Sequence, residues 1–169
     1  MHLIQNTTPD DLPIIYDLFD ESVRYQEANG YPSWRNYDKN ALERDVQNRN
    51  QYRIIIDSKI AIVFSVCYAD KVIWRERELG DAIYLHRIVV NPEFKGQRLF
   101  GEILNWTVAH AVEKKLRYVR MDTWADNSTI INYYLGFGFR HVENYTTPDT
   151  PELPEHNRRL ALALLESKI

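Results

Sequence analysis

The sequence predicts a mixed α/β fold, in which about seven strands form a central sheet and about four helices flank it. Three observations carry this. Runs of β-branched residues alternate with segments whose apolar residues recur at helical spacing. Two such runs, Tyr52 to Ile56 and Lys59 to Tyr68, flank Asp57-Ser58 as an antiparallel hairpin. The element order, β-α-α-β-β-β-α-β-α-β-β, lacks the strict alternation of a doubly wound sheet. A chain of 169 residues with 44% hydrophobic residues fits a single domain over 1–169 with one core.

The elements follow from local chemistry. His2 to Thr7 reads as the first strand. Thr8-Pro9-Asp10-Asp11 then supplies an N-cap, a proline at the first helical position and an acidic first turn. Leu12, Ile15, Leu18, Phe19 and Val23 give the helix its apolar face, and Asn29-Gly30 ends it. A linker with Tyr31, Trp34 and Tyr37 precedes a short helix near Ala41 to Asn48. After the hairpin, Ile83 to Val90 is a β-branched run halted by Asn91-Pro92, a pair that starts a turn. Leu99, Ile103, Trp106 and Ala109/His110 mark one face of a helix over Leu99 to Lys115. Tyr118 to Trp124 is a strand, Asn127 to Leu135 a helix, Phe139 to Tyr145 a strand and Arg158 to Leu165 the last strand. Residues 147–155 form an acidic connector stiffened by prolines.

Composition narrows the function. The net charge of −3 argues against a nucleic-acid partner held by phosphate contacts. No basic-then-apolar leader opens the chain, and no apolar run approaches membrane-spanning length, so a soluble, cytoplasmic protein is expected. The one cysteine, Cys67, lies in an apolar run and reads as a small core residue. His2, His86, His110, His141 and His156 show no metal-ligand spacing, so no metal is expected.

The loop after Val90 is the strongest chemical signal. Lys95, Gly96 and Arg98 stand between a strand and a helix start, where unpaired backbone N–H groups and the positive end of the macrodipole favour an anion. It is not a Walker A loop, because Glu102 and Ile103 follow Gly101 where Lys and Ser/Thr must hold phosphate and magnesium. Gly136-Phe137-Gly138 likewise lacks the strand and third glycine of a dinucleotide fingerprint.

A second segment decides how the first is read. Asn127 stands at a helix start, Tyr134 comes two turns later, and Gly138-Phe139 turns into a strand. This pattern resembles that of the GNAT superfamily, the acyl-CoA-dependent N-acyltransferases. The first segment is similar to the same family's cofactor motif: Val90-x-Pro92 and Gly96 match, and Lys95 replaces the usual Arg or Gln. Arg98 and Phe100 depart from it at the second and third glycine positions, where backbone approaches pyrophosphate or takes positive φ. The resemblance implies a mixed, mostly antiparallel sheet.

The resemblance also implies direct acyl transfer from acetyl-CoA to the primary amine of a small acceptor, with no metal and no covalent enzyme intermediate. Pyrophosphate would rest on Lys95, Gly96, Gln97, Arg98, Leu99, Phe100 and Gly101, and pantetheine would pair with the edge of Ile88, Val89 and Val90. Asn127 would be an N-cap, a cofactor contact or both. Tyr134 would touch the cofactor and protonate the leaving thiolate, while His86 or ordered water would take the amine's proton. Tyr31, Trp34, Tyr84 and Trp124 would border the acceptor, as would the 147–155 loop. Partners are thus acetyl-CoA and a small amine, with no nucleic acid or membrane, and a homodimer is compatible. The alternative is a non-catalytic acyl-CoA-binding or regulatory module on the same fold, favoured by Arg98 and Phe100.

Overall fold

The computed structural model describes all residues, Met1–Ile169. In chain order the elements are β1 (Ile4–Asn6), α1 (Leu12–Ala28), α2 (Lys39–Gln47), β2 (Gln51–Ile56), β3 (Lys59–Cys67), α3 (Lys71–Trp74), β4 (Ala82–Val90), α4 (Phe100–Glu113), β5 (Tyr118–Trp124), α5 (Ser128–Leu135), β6 (Arg140–Thr146) and β7 (Ala161–Lys168). The strands are hydrogen-bonded in the order β1-β2-β3-β4-β5-β7-β6. The expected order of elements holds, with the one-turn helix α3 added. One shift matters at the C-terminal end: the last strand starts at Ala161, and its expected first residues follow a 3-10 segment at Glu155–Asn157.

The chain clusters into two compact units, Met1–Val66 with Arg87–Leu104, and Cys67–His86 with Asn105–Ile169. In the first, α1 begins as its sequence dictates. The Thr8 N–H and hydroxyl both donate to the Asp11 carboxylate, at 2.7 and 3.0 Å, and that carboxylate is also paired with Arg53. β1 and β2 are antiparallel, as are β2 and β3, with Ile54 opposite both Ile4 and Ile62. Asp57 and Ser58 take φ of 49° and 62°, the two left-handed residues that a tight hairpin needs to match strand twist. Ile15, Leu18 and Phe19 from α1, Leu42 from α2, Ile60 and Val63 from β3, and Val89 form this unit's core.

The second unit is built on β5. Its first three residues pair in parallel with β4, from Ala82↔Tyr118 to Tyr84↔Arg120. Its whole length pairs antiparallel with β7, and β7 pairs antiparallel with β6. Ile73, Trp74, Ala82, Tyr84, Leu153, Leu162 and Leu164 form the core. Beside it lies the ion pair of Arg120 Nε with Glu166 at 2.8 Å, whose side chains are 6% and 4% exposed. Arg140 reaches the second Glu166 oxygen at 2.5 Å. These bonds hold the Glu166 carboxyl below its usual range although burial alone would raise it.

Candidate functional site

The loop after Val90, in the first unit, keeps a glycine-type backbone without all the glycines. Gly96 has φ of +88° and Arg98 has φ of +54°. The arginine therefore occupies the left-handed conformation for which a glycine would ordinarily be used, at a steric cost of about 1 kcal/mol. Phe100 is a different case: it opens α4 and is buried, so its side chain belongs to the core. Within the loop, the amides of Lys95, Gln97 and Gly101 donate to Pro92, Phe94 and Arg98 carbonyls at 3.2, 3.3 and 3.1 Å. The expectation that every amide from 95 to 101 awaits an anion is corrected by these turns, which leave Gly96 outside the local pairing. Lys95 Nζ stands 4.3 Å from the Tyr25 ring centroid, and Leu99 is buried. Ahead of the loop, Val89 is buried in the first unit's core, Ile88 is half-buried and Val90 exposed.

Simple strand alternation would put Tyr84, His86 and Ile88 on one face of β4, and the structure breaks it after His86. Arg87, inside β4, has φ of +51°, which interrupts the two-residue alternation as a bulge does. Its guanidinium donates to Asp45 at 2.8 Å, and Ser65 donates to the same oxygen at 2.7 Å.

In the second unit three acid–base groups converge. The parallel pairing of β4 with β5 ends at Tyr84↔Arg120, and His86 and Asp122 both lie two residues further on. Equal spacing in two pleated strands puts both side chains on one face where the strands part. Asp70 arrives from the N-cap of α3. Its Oδ1 accepts from the Ile73 N–H at 3.3 Å and its own N–H donates to Glu78 Oε2 at 2.9 Å. Its Oδ2 lies 3.6 Å from His86 Nε2, is buried, and has no hydrogen-bond partner. One donor atom each from Asp70, His86 and Asp122 lies within 4.8 Å of the other two. Burial raises the Asp70 carboxyl to about 6, against the pull of the Ile73 N–H and with help from Glu78. Burial and the charge of Asp70 raise Asp122 to about 7. One histidine nitrogen and two carboxylate oxygens at this spacing can be satisfied by a positive charge or by a shared proton.

Tyr134 borders this cluster. It is buried on α5, edge-on to Tyr133 at 5.3 Å and to Phe139 at 6.4 Å. Burial first, then Tyr133 and Asp122, push its phenol above the ordinary value of about 10. Asn127 caps the same helix, its Oδ1 accepting from the Ile130 N–H at 3.1 Å. The N-cap reading of Asn127 is thus present in the structure.

The residues expected to wall the acceptor are not alike. Tyr84 is wholly buried, and its hydroxyl accepts from Arg120 Nη1 at 3.1 Å and bonds Glu78. It is a core residue that stacks under His86 at 6.4 Å and does not present a surface. The Trp34 ring packs on Phe19 at 5.8 Å, while its backbone N–H donates to Gln26 Oε1 at 2.8 Å. It anchors the linker to α1, because an indole gains more from that core than from solvent. Tyr31 is exposed beside Tyr25, and Trp124 is half-buried at the end of β5. The 147–155 loop is less of an acidic wall than its sequence implies. Leu153 is buried in the core and Asp149 is paired with Arg159 at 3.4 Å.

Asp70 and Asp122 are the residues that sequence reasoning missed. Asp70 precedes Lys71-Val72-Ile73-Trp74, an acidic cap before an apolar turn, but four residues give no period to detect. Asp122 was visible as the one acid among Tyr118-Val119-Arg120-Met121-Asp122-Thr123-Trp124, a run otherwise suited to a buried strand.

A model of the acetyltransferase (GNAT) family matches residues 34–139, more than half of the sequence, and the chain belongs to this family. It is 32% identical over 75 residues to the uncharacterised N-acetyltransferase YesJ of Bacillus subtilis (strain 168). That match covers 43% of this chain and 41% of YesJ, so it spans less than half of that relative. Among solved structures, a GNAT-family acetyltransferase from Listeria monocytogenes 4b F2365 has a TM-score of 0.80 at 19% identity, covering 99% of this chain and 95% of that one. The aminoglycoside acetyltransferase AAC(6')-Ib, solved with coenzyme A and kanamycin, has a TM-score of 0.72 at 14% identity, with 99% and 95% covered. At these identities both structures speak to the fold. No helix is long and apolar enough to cross a membrane.

Proposed function

We propose that this chain transfers an acetyl group from acetyl-CoA to a primary amine by direct attack within a ternary complex. The observation that carries the reading is the convergence of His86, Asp70 and Asp122 beside the buried Tyr134. An amine nucleophile needs a base and a departing thiolate needs an acid, and a pure CoA binder needs neither. In this reading His86 Nε2, backed by the Asp70 carboxylate, takes the amine's proton, and the Tyr134 hydroxyl protonates the sulfur. The Gly96 and Arg98 backbone of the first unit supports a phosphate seat. Family membership supports acetyl-CoA as the donor.

The acceptor is a small amine, cationic before it is deprotonated. Asp70 and Asp122 supply negative charge at the reacting end, which attracts such a group. The kanamycin bound to AAC(6')-Ib is chemically of this kind, an amine-bearing sugar, and that complex supports the class without naming the molecule. The family match runs through both compact units, which supports treating residues 1–169 as one functional domain. A single cysteine is in keeping with a reducing, cytoplasmic setting.

Calorimetry with acetyl-CoA followed by an amine panel read out by free-thiol release tests this. Saturable acetyl-CoA binding and thiol release with cationic amines are expected. Absence of acetyl-CoA binding sinks the reading, and tight binding without turnover on any amine replaces it with the regulatory module. His86→Ala should also lower kcat while acetyl-CoA affinity is kept, the split expected when a base is removed and binding is not.

A further inference from the structure

We propose that Arg75, gripped by Glu143 and Tyr145 of β6, is a positioning residue that holds the Asp70 carboxylate against His86. This rests on the acetyl-transfer reading above, in which Asp70 backs His86. All of these residues belong to the second unit.

Asp70 needs holding. Its Oδ2 is buried 3.6 Å from His86 Nε2 with no hydrogen-bond partner, and Glu78 beside it carries the same charge. A carboxylate so placed gains by turning towards water. What opposes the turn is its other oxygen, Oδ1, which accepts from the Ile73 N–H at 3.3 Å. That bond is only as firm as α3, and α3 has four residues, a single turn with no helical stability of its own. Ile73 and Trp74 anchor it to the core by their side chains. Its peptide groups need partners as well, because a helix end leaves its last carbonyls unpaired.

Arg75 supplies one. Its Nη1 donates to the Ile73 carbonyl at 2.8 Å, so the residue whose N–H holds Asp70 has its C=O held by Arg75. Nη2 is paired with Glu143, and the guanidinium carbon lies 3.7 Å from the Tyr145 ring centroid. A planar fork makes these contacts together, which a lysine could not. β6 is shaped for them. Its register against β7 shifts between His141 and Glu143, a bulge that sets those two side chains on opposite faces. Glu143 and Tyr145 then share one face, two residues apart, and both meet Arg75.

The Arg75 backbone points the same way. Its φ of +50° and ψ of −122° lie where glycine goes freely and a residue with a side chain seldom does. An arginine here bears a steric cost that glycine would avoid, and its side-chain contacts offset it. Printed contacts thus run unbroken from β6 to the candidate base: Glu143 to Arg75, Arg75 to the Ile73 peptide, Ile73 to Asp70, Asp70 to His86.

Two measurements test the proposal. Arg75→Gly suits the backbone and removes the grip, and Glu143→Ala releases the same grip from its far end. Amide hydrogen exchange followed by NMR needs no substrate. The Ile73 N–H should exchange faster by roughly tenfold in Arg75→Gly and by a smaller factor in Glu143→Ala, while the β7 amides keep the parent's rates. An Ile73 amide that stays unmoved in either variant overturns the proposal, whatever the activity. The second measurement is a kinetic cycle with Asp70→Asn, which keeps the helix cap and removes the charge. Arg75→Gly should lower kcat by roughly tenfold and leave acetyl-CoA affinity within about twofold. In the Asp70→Asn background the same replacement should change kcat by less than about twofold, because no carboxylate remains to be positioned. Equal losses in both backgrounds make Arg75 a general structural residue and overturn the proposal, as does faster Ile73 exchange with kcat unchanged. Faster exchange in a protein that neither binds acetyl-CoA nor turns over overturns the acetyl-transfer reading and leaves Arg75 as a support for Asp70 alone.

Discussion

Arg98 holds a conformation that its own Cβ opposes, and the position is informative for that reason. At φ of +54° a non-glycine residue gives up roughly 1 kcal/mol, which the surrounding turn must offset. Backbone geometry at this point is therefore fixed by the loop and not chosen by the side chain. Arg98→Gly should leave acetyl-CoA affinity within a few-fold by calorimetry and raise stability by up to about 1 kcal/mol. A loss above tenfold would transfer the binding role from the amides to the guanidinium. Gly96→Pro should abolish binding, because proline fixes φ near −65° where the loop requires +88° and removes the N–H. Two adjacent tyrosines give the second comparison at this scale. Tyr134 is buried and Tyr133 is 39% exposed, yet they differ in sequence by one step. Tyr134→Phe keeps the ring and removes the hydroxyl, so kcat should fall by roughly 10²-fold with acetyl-CoA affinity intact. Tyr133→Phe should change kcat by less than twofold, and equal effects from both would remove Tyr134 from the chemistry.

At the scale of elements, the start of α5 lets a structural role and a cofactor role of one side chain be separated by experiment. Asn127 accepts the Ile130 N–H and so satisfies one of the donors that every helix start leaves unpaired. Asn127→Ala should cost about 1 kcal/mol in thermal or urea unfolding, whereas Asn127→Asp keeps the cap and should keep stability. Acetyl-CoA affinity lost in the aspartate variant would assign Asn127 to the cofactor as well, since added charge repels phosphate while the cap survives. β5 and the hairpin were legible in the sequence because long runs of strand-forming residues leave little choice: Tyr118–Trp124 falls where expected, and Asp57-Ser58 turns the chain as that pair should. α1 was legible from its cap and its apolar stripe. What escaped is instructive in each case. α3 has four residues, too few for a helical period, and it carries Asp70. The bulge at Arg87 cannot be read from alternation, because an arginine gives no hint of positive φ, so the parity of His86 was extended too far. Phe100 looked like an obstruction in a glycine position, although its burial belongs to the core side of α4. The base half of the candidate site was visible as His86, but the carboxylates that give it chemistry come from segments remote in sequence.

For the molecule as a whole, the carboxyls with shifted values set a pH dependence of stability that can be worked out in sign. Glu166, Glu143 and Glu102 have lowered values from their partners, so their contributions are present above about 4.5 and are lost as pH falls through the folded values. Asp70 and Asp122 run the other way. Their folded values of about 6 and about 7 lie above the unfolded value, so the folded chain binds more protons in between. Stability from this pair is full below about 4 and is lost as pH rises towards 7. His110, lowered by burial and by Lys114, adds a contribution that grows as pH rises to about 6.5 and masks part of the decline. A difference between two chains removes His110, since it is present in both. Near pH 4 Asp122 is protonated in the folded parent and the unfolded chain has only begun to ionise it, so Asp122→Asn, a near-isostere of the neutral group, should unfold almost together with the parent. At pH 8 the parent must carry a half-buried carboxylate close to Asp70, and the variant should be the more stable by something on the order of 1–3 kcal/mol. Paired urea melts at pH 4, 6.5 and 8 measure this directly. A stability difference that stays flat across the three, or that favours the parent at pH 8, would mean that Asp122 is ionised and compensated throughout, and that the cluster holds no proton at neutral pH.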